Sequence, residues 1–456
     1  MILPYNRRMA DFDVVVIGGG NAGQAVALRT ARAGKRTVLV DKGDVGGLCA
    51  LRGCNPKKVM VRASEMLGEV RHAHVHGITT GDISIDWSRV VDRLHSFTDP
   101  IPAQVEASLA KAGAERLRGV AKFTAADRIA VDGRELAAAD AIVIATGSRP
   151  RALPIEGADL MHTSDDIFDV RTPPRRMAII GAGVIGFEFG FVFARLGTEV
   201  SIIEAKRDPL GGELDADFIA PILAHGEKLG IRWLWNQQLR AVRSAGDHLT
   251  LELGDRSLEV DYVLNAVGRA PAIDDLDLER AGVRRTPKGI EVDDHLCSPH
   301  NPRVYAAGDA HGRWQLSPVA SYEGRVIAKN ITARGSAKVD YTALPRAIFS
   351  TPPIASVGIT EQEAKRRGIE VDAVVNDMTS WKVHAIAGDE LARGKTIVER
   401  ATGKILGAHL CAPTAADVIH IFALAIRFGM TREQLQDLVY AYPTPSSALA
   451  STFTQY

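Results

Sequence analysis

Residues Phe12–Asp41 read FDVVVIGGGNAGQAVALRTARAGKRTVLVD. Phe12–Ile17 is a short, Val-rich apolar run, the pattern of a buried strand. It enters Gly18-Gly19-Gly20-Asn21-Ala22-Gly23, which fits G-x-G-x-x-G with Gly18, Gly20 and Gly23 at the fixed positions. Gln24–Ala33 reads as a helix, with Ala25, Ala27, Leu28 and Ala31 small or apolar. Thr37–Val40 is a second strand, ending at Asp41. Strand, glycine turn, helix, strand and acid together make a dinucleotide-binding unit. The glycines let the backbone approach a pyrophosphate, and the helix start offers free N–H groups and a positive dipole end. Asp41 would accept hydrogen bonds from an adenosine ribose. Without a ligand, the same residues would be only a tight turn.

The pattern recurs. Met177–Ile180 enters Gly181-Ala182-Gly183-Val184-Ile185-Gly186, with Gly181, Gly183 and Gly186 in the fixed positions. Phe187–Leu196 is its helix and Val200–Ile203 its second strand, ending at Glu204. Pro173 and Pro174 in the preceding Arg171–Arg176 mark a domain boundary. Two copies imply two dinucleotides bound side by side, as hydride transfer between cofactors requires. Ile142–Gly147, which contains Thr146, and Val304–Asp309 read either as strand ends near a cofactor or as ordinary strand–turns. From Tyr341 the composition changes. Ile354–Val357, Thr396–Glu399 and Ala408–Cys411 are short strands, Gly403 ends a turn, and Ala415–Phe428 is an apolar helix. This part reads as a mixed α+β domain for an interface or substrate binding.

The 456 residues suggest two to four domains. Lys+Arg and Asp+Glu both count 55, so no global charge favours nucleic acid or an anionic membrane. No apolar run reaches the roughly 20 residues of a membrane span. Met1–Ala10 reads as a disordered lead-in rather than a signal peptide, with Met9 an alternative start. Four cysteines in so long a chain are not a disulfide scaffold, so a reducing, cytoplasmic setting is expected.

Two of the four cysteines, Cys49 and Cys54, lie in Gly46–Lys58, GGLCALRGCNPKK. Residues five apart on an ideal helix point roughly 140° apart, so bridging them needs a distorted helix start, which Gly46, Gly47 and Gly53 could permit. A strained, accessible disulfide is more easily reduced than a structural one. A helix N-terminus and nearby lysines favour thiolate. A structural bridge is one alternative. Metal binding is another, but it needs two further ligands that the neighbouring sequence does not supply.

With these motifs in order, together with Gly268-Arg269, Gly308-Asp309 and Tyr440–Ser447, the chain resembles the flavin-dependent pyridine nucleotide-disulfide oxidoreductases. That family includes dihydrolipoamide dehydrogenase, glutathione reductase and mercuric reductase. The resemblance implies an α/β fold of two Rossmann-like domains, for FAD and NAD(P), plus a C-terminal α+β dimerisation domain. The expected boundaries are 10–150 for FAD with the Cys pair, 151–272 for NAD(P), 273–340 for a return to the FAD or central domain, and 341–456 for the interface. It implies FAD on Gly18, Gly20, Gly23, Asp41, Lys42, Gly47, Thr146, Gly147, Gly268, Arg269, Gly308 and Asp309, the last facing the ribityl chain. NADH or NADPH falls to Gly181, Gly183, Gly186 and Glu204. Electrons would pass from NAD(P)H to flavin, then Cys54, then Cys49. Cys54 would be the flavin-side thiolate and Cys49 the exchanging thiol, with Lys58 paired to Glu188 near the flavin. The expected partners are a second copy, sharing the active site, and a small-molecule or protein disulfide; no nucleic acid, membrane or metal is expected. Glu204 favours NADH by repelling a 2′-phosphate, although Lys206 and Arg207 could accept one. Val184 is similar to the lipoamide branch, and Gln315–Ala320 to the glutathione reductase branch.

The tail departs from the family. Where the family has His-x-His-Pro-Thr followed by Glu, this chain has Tyr440-Ala441-Tyr442-Pro443-Thr444-Pro445-Ser446-Ser447. Tyr442 stands at the acid/base His and Ser447 at its orienting Glu. A phenol titrates near about 10 and an imidazole near about 6.5, so Tyr is a poor base at neutral pH. Mercuric reductases resemble this chain in that Tyr but also carry a C-terminal Cys pair, absent here. Either a disulfide is reduced without the His–Glu pair, or the acceptor is a metal ion, a quinone, oxygen or a carbon electrophile. A low-turnover redox sensor is the non-enzymatic alternative. Tyr442-Pro443 is expected to be cis. Cys297 and Cys411 read as isolated core or surface residues, and Arg71–His76 as a helix end with solvated histidines rather than a metal site. His311 could relay protons near the flavin.

Overall fold

The computed structural model describes residues 10–454 except 334 and 336. The lead-in Met1–Met9, with the alternative start at Met9, and the terminal Gln455-Tyr456 lie outside the described residues. The chain divides into two compact units. One holds the residues up to Val59, with Val91–Arg151 and Gly268–Asp340; the other holds Met60–Val90, Ala152–Val267 and Tyr341 onward.

The first unit is built on a sheet in the order Cys297–Ser298, Asn301–Ala306, Arg134–Ile144, Phe12–Ile17, Thr37–Asp41, Ala114–Arg118. All but the first of these neighbours pair in parallel. Val14, Val15, Val16, Leu39, Val40, Ile142, Val143 and Ile144 are all wholly buried, which explains why these strands read as unbroken apolar runs. Asn21–Arg32 and Ser317–Ala333 are the helices on one face. They cross closely because Gly324 has no side chain: a Cβ there would lie 2.6 Å from Ala22 O.

The second unit holds a parallel sheet in the order Ile231–Trp235, Glu199–Glu204, Arg176–Ile180, Tyr262–Asn265, His162–Thr163. Its helix, Val184–Arg195, buries Phe187, Phe189, Phe191 and Phe193 together. Trp87 and Phe168 pack on them, with Trp87 Nε1 donating to Val170 O at 3.0 Å. Each fully buried aromatic side chain contributes about 1.5–3 kcal/mol. The same unit carries an all-antiparallel sheet, Arg346–Ile348, Ile354–Gly358, Ile405–Cys411, Arg393–Glu399, Val371–Asp377, covered by Ala415–Arg427.

Lys395 is 1% exposed, and its Nζ lies 3.1 Å from Asp215, 2.9 Å from Asp217 and 2.8 Å from Glu361. Burial alone would lower its pKa; the hydrogen bonds that Lys395 Nζ donates to Glu361, Asp217 and Asp215 overcome this and raise it. The Cys54–His72 helix runs into a 3-10 turn, Ala73–His76. His74 and His76 are exposed there, as the sequence suggests, and ring nitrogens of the half-buried His72 and of His76 lie 2.8 and 3.2 Å from Gly388 O and Ala387 O. The end of a helix leaves carbonyls and donors to satisfy, and the 387–388 backbone is in reach. Among the described residues no helix is long and apolar enough to cross a membrane, and no group of three or more His, Cys, Asp or Glu could hold a metal ion.

Candidate active site

The two glycine turns have the same geometry. Gly18 and Gly181 both sit at φ +109, and a Cβ would lie 2.2 Å from Ala145 O in the first and 2.5 Å from Ala266 O in the second. Gly18 N–H donates to Val40 O at 2.7 Å, and Gly181 N–H to Ile203 O at 2.8 Å. Gly23 and Gly186 close each turn, packing directly on Gly18 O and Gly181 O. Helices of 12 residues start at Asn21 and Val184, immediately after Gly20 and Gly183. Each acid is fixed by its own turn: Asp41 Oδ2 accepts from Gly19 N–H at 2.6 Å, and Glu204 Oε2 from Ala182 N–H at 2.9 Å. A Cβ on Gly183 would meet nothing within 4 Å, so the second turn is an open cradle. Both turns fit a bound pyrophosphate with its ribose on the acid. Lys42, just past Asp41, is exposed.

The cysteine segment is tied to the first turn. Gly46 N–H donates to Gly19 O at 3.0 Å, and Gln24 Nε2 reaches Gly19 O and Gly46 O at 2.8 and 3.4 Å. Gly47 sits so close to Gly20 that a Cβ would lie 2.4 Å from the Gly20 Cα. A short helix, Gly47–Leu51, carries Cys49; the helix breaks at Arg52-Gly53 and restarts at Cys54. That break is the distortion a bridge across five residues requires. Lys58 lies one turn into the second helix, and like Lys57 its charge favours a Cys54 thiolate.

The two sulfurs are hydrogen-bonded thiols in this structure. Cys49 is pulled down to about 6, first by the hydrogen bond from Cys54, against burial, and then by the Ser317 hydroxyl, the Cys54 backbone and the Asn21 amide. Cys54 is pushed well above the ordinary thiol range, chiefly by that same bond to Cys49. The two sulfurs share one charge: Ser317, Asn21 and the Cys54 backbone favour it at Cys49, while Lys57 and Lys58 favour it at Cys54. The other two cysteines are poor nucleophiles. Burial raises Cys297 to about 11, and it raises the wholly buried Cys411 further.

Asp309 completes the first unit's cluster. Burial raises its pKa, while Ser148 Oγ, donating at 2.6 Å, and the nearby Arg269 oppose this. Arg269 Nε in turn donates to Ser148 Oγ at 3.0 Å, from a strand, Arg269–Pro271, paired with Ser148–Pro150. Gly268 O accepts from Arg151 N–H at 3.0 Å and Gly147 O from Ala272 N–H at 2.9 Å, so both glycines lie at this junction. Thr146 Oγ1 is buried without a hydrogen-bond partner among the described residues, an orphan that a bound cofactor fits. His311 is buried. Its Nε2 lies 3.0 Å from the buried Glu323 Oε1, whose other oxygen accepts from Gly308 N–H at 2.6 Å.

In the second unit, Glu188 is 2% exposed and its Oε1 accepts from Phe349 N–H at 2.8 Å. Tyr442 is 74% exposed, beside the cis Tyr442-Pro443 bond. Ser447 is engaged locally in a capping box: its Oγ accepts from Thr444 N–H at 3.1 Å, and its N–H donates to Thr444 Oγ1 at 3.2 Å. Sequence reasoning missed Asn21, Ser148, Ser317 and Glu323 as site residues. Asn21 and Ser317 lay inside motifs already singled out, but 296 positions separate them.

Comparison with known proteins agrees with this geometry. Residues 12–324 match the family described as "Pyridine nucleotide-disulphide oxidoreductase", and residues 344–452 match its dimerisation domain. The chain is 32% identical to a dihydrolipoyl dehydrogenase of Chlamydia muridarum over 97% of this chain and 96% of that one. It is 30% identical to a mercuric reductase of Staphylococcus aureus, covering 97% of this chain and 82% of the relative. A solved structure, the Cu(II) complex of the HOCl-induced flavoprotein disulfide reductase RclA from Escherichia coli, superposes with a TM-score of 0.88 at 25% identity, over 96% of this chain and 99% of that one. Two matched glycine turns, a cysteine pair beside the first and a matched dimerisation domain lead to one conclusion: this chain belongs to the class I pyridine nucleotide-disulphide oxidoreductases, FAD-dependent NAD(P)H enzymes.

Proposed function

We propose that the protein uses NADH, in a reducing cytoplasmic setting, to reduce a disulfide whose leaving thiol is acidic enough to depart without a proton from an imidazole. The observation that carries this reading is Tyr442, exposed at the acid/base position, with Ser447 committed to capping Thr444. When bound, flavin supplies the passage of two electrons from a nicotinamide to a sulfur. Gly18, Gly20, Gly23 and the Asn21 helix start would hold its pyrophosphate, Asp41 its ribose, and Asp309 with Gly308 its ribityl chain. Lys42, Gly47, Thr146, Gly147, Gly268 and Arg269 would line the same site. Gly181, Gly183, Gly186 and Glu204 would hold the nicotinamide cofactor. Glu204 supports NADH over NADPH because its carboxylate, held by Ala182 N–H at the second turn, would meet the ribose and repel a 2′-phosphate. Lys58 and Glu188 would set charge beside the flavin.

On the acceptor side the Cys49 thiolate attacks one sulfur of the substrate disulfide, forming a mixed disulfide and expelling one thiolate. Cys54 then loses its proton and attacks Cys49 Sγ, expelling the second thiolate and restoring the Cys49–Cys54 bond. The Cys54 proton goes to water or to a departing thiolate. Tyr442 would stand over this exchange as a hydrogen-bond donor from a second copy of the chain, so the site would be shared within a homodimer.

A second reading is supported by the likeness to a mercuric reductase and to a reductase solved as its Cu(II) complex. There the acceptor is a thiophilic metal ion: two Cu(II) ions each take one electron, two protons leave, and the disulfide re-forms. No thiolate departs, so no acid is needed. Anaerobic turnover against aryl disulfides, alkyl disulfides and Cu(II) tests both readings. The first expects rates that rise with leaving-thiol acidity, and the second expects Cu(II) to exceed every disulfide. Equal rates with alkyl and aryl disulfides would contradict the first, and a disulfide that outruns Cu(II) would contradict the second.

A further inference from the structure

We propose that His311 and Glu323 form a buried positioning pair that fixes the Gly308–Asp309 turn and, through Asp309, sets how tightly FAD is held. This deepens the proposed function and rests on the reading of Asp309 as the ribityl acid.

Gly308–Ala310 is a single 3-10 turn entered from the strand Asn301–Ala306, with Gly308 at φ +65. The turn's own backbone bonds are few and long: His311 N–H donates to Gly308 O at 3.3 Å, and Gly312 N–H to Asp309 O at 3.1 Å. Glu323 supplies the shorter contacts. Its Oε2 accepts from Gly308 N–H at 2.6 Å, and its Oε1 lies 3.0 Å from His311 Nε2. Gly308 stands one residue before Asp309 and His311 two after it, so one carboxylate ties the entry of the turn to its exit. The side chains of His311 and Glu323 are 2% and 0% exposed, so water cannot replace either partner. A carboxylate so deeply buried is costly without its donors, which makes His311 and the Gly308 N–H necessary to each other. The strands Arg285–Thr286 and Gly289–Ile290 close over the far side: a Cβ on Gly289 would lie 2.6 Å from Ala310 O, and one on Gly312 1.6 Å from Lys288 O. Glu323 also precedes Gly324, where its helix crosses Asn21–Arg32 against Ala22 and Ala25. The pair therefore places Asp309 relative to the helix that opens the first glycine turn. Asp309 responds to both members: beside the larger effects of burial, Ser148 and Arg269, Glu323 raises its pKa and His311 lowers it. Ser148 and Arg269 hold the carboxylate itself, while His311 and Glu323 hold the backbone that carries it.

The test is the half-saturating FAD concentration of the full-length protein, from equilibrium dialysis with bound flavin read by absorbance, in a double-mutant cycle with Asp309. Asp309→Ala and His311→Leu each raise that concentration about tenfold, the weight of one hydrogen bond to a charged group. In the double variant the second change adds less than about twofold, because no carboxylate is left to place. His311→Gln keeps an N–H donor of similar reach and restores the wild-type value. If His311→Leu does not fold, His311→Asn, whose shorter amide falls short of Glu323, takes its place in the cycle. A pair that only braces the fold would multiply the two losses to about a hundredfold and would do so equally whether or not Asp309 is present. Multiplying losses, or an unchanged half-saturation in His311→Leu, overturn the proposal. The single variants separate it from the reading beneath it. Full FAD affinity in Asp309→Ala overturns the ribityl reading and the pair with it, whereas a loss in Asp309→Ala with none in His311→Leu overturns the pair alone.

Discussion

Ser447 occupies the third position of the terminal 3-10 helix, where its backbone and hydroxyl both bond Thr444. Glu is the residue a capping box prefers at that position, so a carboxylate can be placed there without disturbing the turn. Tyr442 is exposed and packs on little. The double variant Tyr442→His with Ser447→Glu therefore restores an acid–base pair on an intact backbone. Its kcat/KM with dihydrolipoamide or glutathione disulfide should rise about 100-fold or more, the usual weight of general acid–base catalysis. No gain with either substrate would mean that the pocket excludes them. Glu204 makes a second residue-scale case. Glu204→Ala removes the charge that repels a 2′-phosphate and leaves Lys206 and Arg207 in place. The NADPH to NADH ratio of kcat/KM should rise roughly tenfold or more, since one lost ribose hydrogen bond and one lost repulsion are each worth about 1 kcal/mol. An unchanged ratio would remove Glu204 from cofactor choice.

At the scale of elements, the Lys395 cluster joins the strand Arg393–Glu399 to the helices Ala216–Lys228 and Glu361–Arg366. Lys395→Ala leaves the buried Asp215 without its cation, beside a half-exposed Asp217 and Glu361, and should cost about 1–3 kcal/mol in denaturant unfolding. Next to Lys395 in register is His409, whose burial lowers its pKa from 6.5 to about 4. The folded value lies below the unfolded one, so this His stabilises the fold fully above pH 6.5, and the contribution fades as pH falls toward 4. His409→Leu should flatten the fall in thermal midpoint across that window. A wild-type midpoint that stays level from pH 6.5 to 4 would contradict the assignment. These elements also show what a sequence can carry. Phe12–Ile17 and the glycine turns are legible because their constraint is local: a turn at φ +109 against a neighbouring strand end demands Gly whatever surrounds it. The break at Arg52-Gly53 follows from the cysteine spacing for the same reason. Lys395 was not legible as a buried ion, because its three carboxylates come from distant segments. The Asn21–Ser317 contact depends on two helices crossing at Gly324, which no local pattern announces, and His72 and His76 reach carbonyls more than 300 positions away.

At the scale of the whole molecule, Leu424, Phe428 and Val439 are large apolar side chains left exposed within the matched dimerisation domain. Large apolar side chains left exposed in such a domain point to an interaction surface. Phe428→Asp should yield a monomer by sedimentation. Because the cysteine pair and both glycine turns belong to one chain, that monomer should still pass electrons from NADH to Cys49 and Cys54. It should lose turnover with the acceptor if, as proposed, the acceptor meets Cys49 beneath Tyr442 of a second copy. Full turnover by a stable monomer would exclude a shared site. Electron transfer without acceptor turnover would separate the electron-receiving half of the enzyme from its proton-handling half, on which the first does not depend. An anaerobic titration of the FAD-loaded protein with NADH, read by mass-mapped alkylation of Cys49 and Cys54, tests the electron-receiving half most directly. The account expects one NADH per chain to expose both thiols, Cys49 reacting first, and expects Cys54→Ser to abolish the NADH dependence. Bleaching of the flavin with no new thiol at either position would contradict it.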